Sequence, residues 1–362
     1  MQTIIKNALV FNGTQIEGIH DVSFQDDFIT DSFIPDSNTQ IIDGTGCTLL
    51  PGLIDSHIHL NSINNLKQAA QYGVTTMLDM MTDDAALVNS LRHQPGLPYI
   101  QSCYQPVISA PGPMLIASLG TVSASVQTPE EARAHIQKQL DMGAEYVKLI
   151  LEQPPLVEKM LSEEIIAETV RYAHEKGKPV FAHTTSVTAY QLAVKYGVDV
   201  LNHIPKEEVL PQEIIAEIKE KDLTVIPTMF MQKGMVDAIH RLMPDRPADY
   251  SIVEETLRKM HQAGIRIIVG TDSNLTNKMN FIPHGKAMHE ELKLMVKAEF
   301  TPEEALFCAT SLPAETFQLE KRGKIHPGFH ADLILVNGNP LERIEEIDQI
   351  KTVWIDGTPV HS

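Results

Sequence analysis

Four histidines and one aspartate stand at the ends of apolar runs in this sequence and one lysine stands within another, a set of side chains suited to binding a divalent cation. His57 and His59 lie at the end of the run Leu53 to Ile58. Two residues apart on a strand, their side chains share one face. Lys148 sits inside Tyr146-Val147-Lys148-Leu149-Ile150, His183 ends Val180-Phe181-Ala182-His183, and His203 ends Val200-Leu201-Asn202-His203. Asp272 follows Ile268-Val269-Gly270-Thr271. Taken singly, each has an ordinary explanation. A histidine at a strand end is usually a hydrogen-bonded core residue, and an aspartate after a strand usually caps the next helix. A lysine within an apolar strand is harder to explain, because burying an unpaired charge is costly. Jointly, five ligand-type residues at the ends of four strands and a buried lysine on a fifth predict a metal site.

For these residues to meet, the strands must converge. Strand cores are expected at Leu53 to Ile58, Val74 to Met80, Tyr99 to Tyr104, Tyr146 to Leu151, Val180 to His183, Val200 to His203, Thr224 to Thr228 and Arg266 to Gly270. Amphipathic stretches lie between them, among them Pro129 to Met142, Glu163 to Lys176 and Ile252 to Ala263. The second opens on a capping Ser162 followed by two acids and closes before Gly177, signals for a helix start and stop. Eight strand–helix alternations predict an α/β fold, a (β/α)8 TIM barrel whose strand ends form one rim. An open doubly wound sheet is the alternative, weakened by the lack of Gly-x-Gly-x-x-Gly after the first middle strand.

A barrel takes about 250 residues, fewer than the 362 present. Both ends look β-rich, with Thr3 to Ile5, Ala8 to Phe11, Val22 to Phe24 and Thr39 to Ile42 before the barrel and Ala331 to Val336 and Thr352 to Ile355 after it. The turn pairs Asn12-Gly13, Asp43-Gly44, Asn337-Gly338 and Asp356-Gly357 punctuate them. One small β-sandwich from residues 1–50 and 318–362, around a barrel of 51–317, is the expected domain plan. The net charge of −18 argues against nucleic-acid and anionic-membrane partners, which need a basic face. No basic, apolar leader and no long apolar span is apparent. Cys47, Cys103 and Cys308 are odd in number and far apart, so reduced thiols in a cytoplasmic protein are expected.

Pro51-Gly52-Leu53-Ile54-Asp55-Ser56-His57-Ile58-His59 resembles the signature of the amidohydrolase superfamily, and Gly270-Thr271-Asp272 resembles its last-strand signature. Thr301 to Leu306, Ala309-Thr310-Ser311 and Pro327 to Leu333 are similar to its tail, so the resemblance spans essentially the whole chain. The nearest flavour is the branch of imidazolonepropionase-like and Xaa-Pro dipeptidase-like enzymes, to which His284-Gly285 and His289-Glu290-Glu291-Leu292 are also similar. The resemblance implies two divalent metal ions, with zinc expected and manganese, cobalt or iron able to substitute. His57, His59 and Asp272 would hold one and His183 and His203 the other. Lys148 would bridge both as a CO2-derived carbamate. A bridging hydroxide would attack the substrate, with Asp272 acting as general base and then acid. Many relatives are dimers or larger, so a homo-oligomer is an expectation by resemblance.

The implied reaction is hydrolysis of a C–N amide bond in a small molecule such as an N-acyl amino acid or dipeptide. Lactone or phosphoester hydrolysis could use the same site. Ring deamination is a further alternative, against which Thr184-Thr185-Ser186 offers no acid after His183. A non-catalytic scaffold should have lost ligands, and all six are present. For substrate contacts the candidates are Tyr104 and His284, with Lys206, Lys233 and Arg241 as further cations that could grip a carboxylate. Two long segments, 104–128 and 229–250, could cover the site, and Met229, Met231, Met235 and Met243 in the second could shape an apolar pocket. The chain departs from the dipeptidase-like pattern at Glu152-Gln153-Pro154-Pro155-Leu156, where a Gly-rich turn is expected, and after its third strand, which lacks a Gly-Gly-His type of sequence.

Overall fold

The computed structural model describes residues 2–31, 33–119 and 125–360. The fold is mixed α/β. Its middle holds a three-stranded parallel sheet, Leu53–Ile58, Val74–Asp79 and Tyr99–Ser102, and a five-stranded parallel sheet running from Val147–Leu151 through Val180–Thr184, Val200–Asn202 and Thr224–Ile226 to Arg266–Ile267. Strands buried on both faces read as continuous apolar runs. That is why the sequence located all eight of them, with ends differing by a few residues.

Backbone hydrogen bonds join the two sheets at both seams. At one, the N–H groups of Ser56 and His59 donate to the carbonyls of Val269 (3.0 Å) and Ser273 (2.9 Å), and the Asp272 N–H donates to that of His57 (2.8 Å). At the other, the Val107 N–H donates to the Lys148 carbonyl (2.7 Å) and the Ile150 N–H to the Val107 carbonyl (3.0 Å). The arrangement is barrel-like. Within it Leu78, Met80, Cys103, Tyr146, Phe181, Val200, Ile226 and Ile268 pack into one apolar layer. Side chains two residues further along a strand point the same way. Lys148 therefore stands above Tyr146, His183 above Phe181, and Thr228 above Ile226.

Both termini build one eight-stranded sheet. Cys47–Pro51 pairs with Gln2–Phe11 on one side and with Leu333–Asn337 on the other. Phe24, Leu49, Leu333 and Trp354 share its core. The runs Thr3 to Ile5 and Ala8 to Phe11 belong to one strand, Gln2–Phe11, with a register shift between Ile5 and Ala8. Asn7 sits at that shift with φ 57°, a conformation asparagine tolerates better than most residues, so the polar pair read as a break is a bulge. The three cysteines are free and buried. Among the described residues no helix is long and apolar enough to cross a membrane.

Candidate metal centre

Three residues with left-handed backbone stand where parallel strands of the middle region end. His203 (φ 75°), Thr228 (φ 50°) and Asp272 (φ 58°) each follow a parallel strand directly or within a few residues. Such conformations are uncommon outside glycine; His203 and Asp272 line the strand-end cavity, and Thr228 is buried behind His203. Gly270 is required nearby. A Cβ there would lie 2.9 Å from the backbone nitrogen of His57, so only glycine lets the last strand approach the first.

The four imidazoles form a chain of rings. Centroid separations are 5.4 Å for His59–His57, 4.9 Å for His57–His203 and 4.4 Å for His203–His183. Asp272 Oδ1 lies 2.8 Å from His59 Nε2 and 3.4 Å from His57 Nε2. One ligand atom each from His57, His203 and Asp272 falls within 4.8 Å of the other two.

Hydrogen bonds on the far side of each ring decide what faces the centre. His57 Nδ1 donates to Asn202 Oδ1 (2.7 Å), whose own Nδ2 is tied to the Ala182 carbonyl (3.0 Å). His59 Nδ1 donates to the Met81 carbonyl (3.1 Å), and His203 Nδ1 is hydrogen-bonded to Thr228 Oγ1 (2.8 Å). The Nε2 atoms of His57 and His59 thereby face Asp272, with His59 Nε2 hydrogen-bonded to its Oδ1 (2.8 Å), and His203 Nε2 is buried without a hydrogen-bond partner among the described residues. Imidazole nitrogens and a carboxylate converging on one point fit a cation, which would take the place of the proton that His59 shares with Asp272, and the outer hydrogen bonds are those that orient metal-binding histidines.

The titration of these groups follows their surroundings. Burial, then the nearby positive charges, pushes His57 and His203 below the usual imidazole range. Burial opposes the charge on His59 too, but Asp272 outweighs it and raises its pKa. Lys148 is 2% exposed, and its Nζ has no hydrogen-bond partner. Burial brings its pKa down to about 7, so a neutral amine is available.

His183 is placed differently. Its Nε2 meets a Glu152 oxygen at 2.8 Å, and Thr185 Oγ1 donates to the same oxygen. Although burial favours the neutral carboxyl, these hydrogen bonds hold Glu152 at about 2. Sequence reasoning missed Glu152 as a site residue. The signal was its spacing, since Glu152 directly follows the strand Val147–Leu151 and continues the alternation of Lys148 and Ile150, and all three line the cavity.

That cavity runs from the histidines outward between apolar walls. Met80, Met81, Met114, Met231, Met235 and Met279 line it, with Lys206, Gln232 and Arg246 among the polar groups. Met231, Met235 and Ile239 stand at successive turns of the helix Met229–Leu242 and present one stripe to it. Met229 is wholly buried and, like Met243, is not among the described lining residues. In the other long segment, the helix Pro113–Leu119 contributes Met114 and Leu115, and residues 120–124 lie outside the described residues.

Two expected substrate contacts are not brought to the cavity. Tyr104 is 1% exposed, and its hydroxyl donates to Asn89 Oδ1 (2.7 Å) beneath the Arg92–Glu145 ion pair. Its backbone (φ 53°) turns the ring away into the core. Tyr104→Phe should lower stability by about 1 kcal/mol, the net worth of a buried hydrogen bond, and leave KM unchanged. Denaturant unfolding and steady-state kinetics check both. His284 is 1% exposed, interacts with His59, and is held at about 3 by burial first and by that neighbour second. Lys233 and Arg241 are exposed and do not line the cavity.

Comparison with known proteins agrees with this architecture. The model of the amidohydrolase family matches residues 48–360. The chain belongs to the amidohydrolase family. It is 24% identical over 239 residues to ochratoxinase of Aspergillus niger, covering 62% of this chain and 47% of that protein. To adenine deaminase of Bacillus subtilis it is 23% identical over 355 residues, covering 92% of this chain and 54% of that protein. The chain thus spans about half the length of these curated relatives. A crystal structure of a Xaa-Pro dipeptidase with methionine bound in the active site superposes with a TM-score of 0.82 at 21% identity, covering 99% of both chains.

Proposed function

We propose that this chain is a metal-dependent hydrolase that cleaves the C–N amide bond of a small molecule such as an N-acyl amino acid or dipeptide. The convergence of His57, His59 and His203 Nε2 atoms on Asp272, with the unpartnered Lys148 amine beneath an apolar cavity, carries this reading. His57, His59 and Asp272 would hold one divalent ion, and His183 and His203 a second. Lys148, as a carbamate, would supply a bridging anion. Bound ions of this kind polarise a carbonyl and lower the pKa of water. Asp272 takes the proton of the attacking water and passes it to the leaving nitrogen. The apolar walls exclude bulk water and seat the substrate's hydrocarbon part.

The same reading includes closure of residues 51–317 into a (β/α)8 barrel, supported by the hydrogen bonds at both seams. It also includes a sandwich of residues 1–50 and 318–362, supported by their shared core.

Ring deamination is the second reading, and Glu152 favours it. The acid that the residues after His183 do not supply arrives from the neighbouring strand, hydrogen-bonded to His183 and Thr185. A screen of metal-loaded protein decides between them. Release of amino acid from N-acyl amino acids or dipeptides is expected, whereas ammonia release from adenine with no amide cleavage would overturn the first reading. Elemental analysis of protein purified without chelator should find about two divalent ions per chain. Fewer than about one after loading would exclude a binuclear site.

A further inference from the structure

Beyond the metal ligands, the cavity carries a cation and an acceptor that no protein group uses. Lys206 is 7% exposed and lines the cavity. Its backbone carbonyl accepts the Asp249 N–H (2.9 Å), which fixes the loop, but its ammonium makes no hydrogen bond or ion pair among the described residues. Two acids act on it electrostatically, and both are engaged elsewhere. Glu152 is hydrogen-bonded to His183 and Thr185, and Glu207 takes two hydrogen bonds from Arg246. A buried lysine without a partner is costly to keep unless a ligand supplies the counter-charge.

Gln232 is wholly buried, and its Nε2 donates to the Ile204 carbonyl (2.7 Å). That bond fixes the amide's orientation and leaves Oε1 buried without a partner. Ile204 lies two residues before Lys206, so the bond also ties the helix carrying Gln232 to the loop carrying the lysine. The helix is itself anchored, because Glu291 accepts the N–H groups of Met229 (2.6 Å) and Phe230 (2.7 Å) at its first turn. The Gln232 amide and the backbone that carries Lys206 are therefore held in place before any ligand arrives.

We propose that Lys206 and Gln232 form the specificity subsite, the ammonium taking the substrate's free carboxylate and Gln232 Oε1 accepting an N–H from the same amino-acid half, while the methionine wall takes an apolar side chain. As a statement about substrate this rests on the amide-hydrolase reading and narrows it to N-acyl amino acids with a free carboxylate and a bulky apolar side chain. A neutral purine would leave the Lys206 charge buried and unpaired.

The test compares N-acetyl-L-leucine with its neutral carboxamide, N-acetyl-L-leucinamide, by calorimetric binding and by hydrolysis on metal-loaded protein. Wild type should favour the carboxylate on the order of 100-fold, within the loss expected when one partner of a buried, hydrogen-bonded charge pair is removed. In Lys206→Met that ratio should fall toward one. Gln232→Glu, which places an acid beside the lysine, should weaken carboxylate binding to a similar degree. Thermal unfolding of each variant checks that it is folded. A wild type that binds both probes equally overturns the subsite. So does a Lys206→Met variant that keeps the ratio, since the carboxylate would then be read by the metal. A Lys206-dependent preference in binding without hydrolysis supports the subsite and overturns the amide-hydrolase reading. Hydrolysis with an unchanged ratio in the variant does the reverse.

Discussion

Asp272→Asn is expected to fold and lose turnover by about 10²–10⁴-fold, the range that a positioned acid–base group contributes. The substitution keeps the side chain's shape and removes its basicity. Asp272 cannot readily be replaced by a neighbour, because its backbone N–H is bonded to the His57 carbonyl (2.8 Å) and its φ of 58° fixes where the carboxylate points. An asparagine would present a neutral amide to His59 Nε2, now 2.8 Å from Oδ1. It would neither take a proton from water nor give one to a leaving nitrogen. Since Asp272 is also an expected ligand, kcat is to be measured at saturating metal, with metal content and melting temperature determined alongside. Turnover within about tenfold of wild type at full metal loading would remove Asp272 from the proton-transfer role.

Lys148→Ala should abolish measurable turnover and cost the protein about one of the two proposed metal ions, because the proposed bridging anion would be lost with the side chain. Its stability need not fall in parallel. Removing a buried amine that has no hydrogen-bond partner relieves a desolvation penalty, while the space left behind costs packing. That space is the basis of a rescue. Short carboxylic acids such as acetate or propionate should enter it, stand in for the carbamate, and restore part of the activity and of the second metal ion. Turnover and metal content against added carboxylate measure both effects. An alanine variant with full activity and full metal content in buffer alone would exclude the carbamate bridge.

The candidate metal ligands stood out in the sequence because each is a polar residue at the end of, or for Lys148 within, a run that is otherwise apolar. Such runs are strands buried on both faces, and polar side chains at their ends have one place to converge. The strand boundaries were legible for the same reason. The eighth strand was less so, since its regular ladder covers only Arg266–Ile267 before the chain turns to meet His57. Tyr104 illustrates the opposite case. A tyrosine after a strand looks like a rim residue, but a left-handed backbone and the Arg92–Glu145 pair draw it into the core. Glu152 was hidden in a loop that drew notice only for lacking glycine. Its partner His183 is thirty-one residues away, beyond the reach of local pattern.

By itself the sequence determined the candidate ligand types, the strands that carry them and the β-rich ends that frame them, because hydrophobic periodicity and residue chemistry are local properties. Only the tertiary structure decided which nitrogen of each histidine faces the centre, through partners such as Asn202 for His57, 145 residues apart. It alone separated Lys206 from Lys233 and Arg241, three cations that look alike in sequence, by burying one in the cavity and leaving the others in solvent. The physical reason is that burial and hydrogen-bond saturation are set by contacts between distant segments.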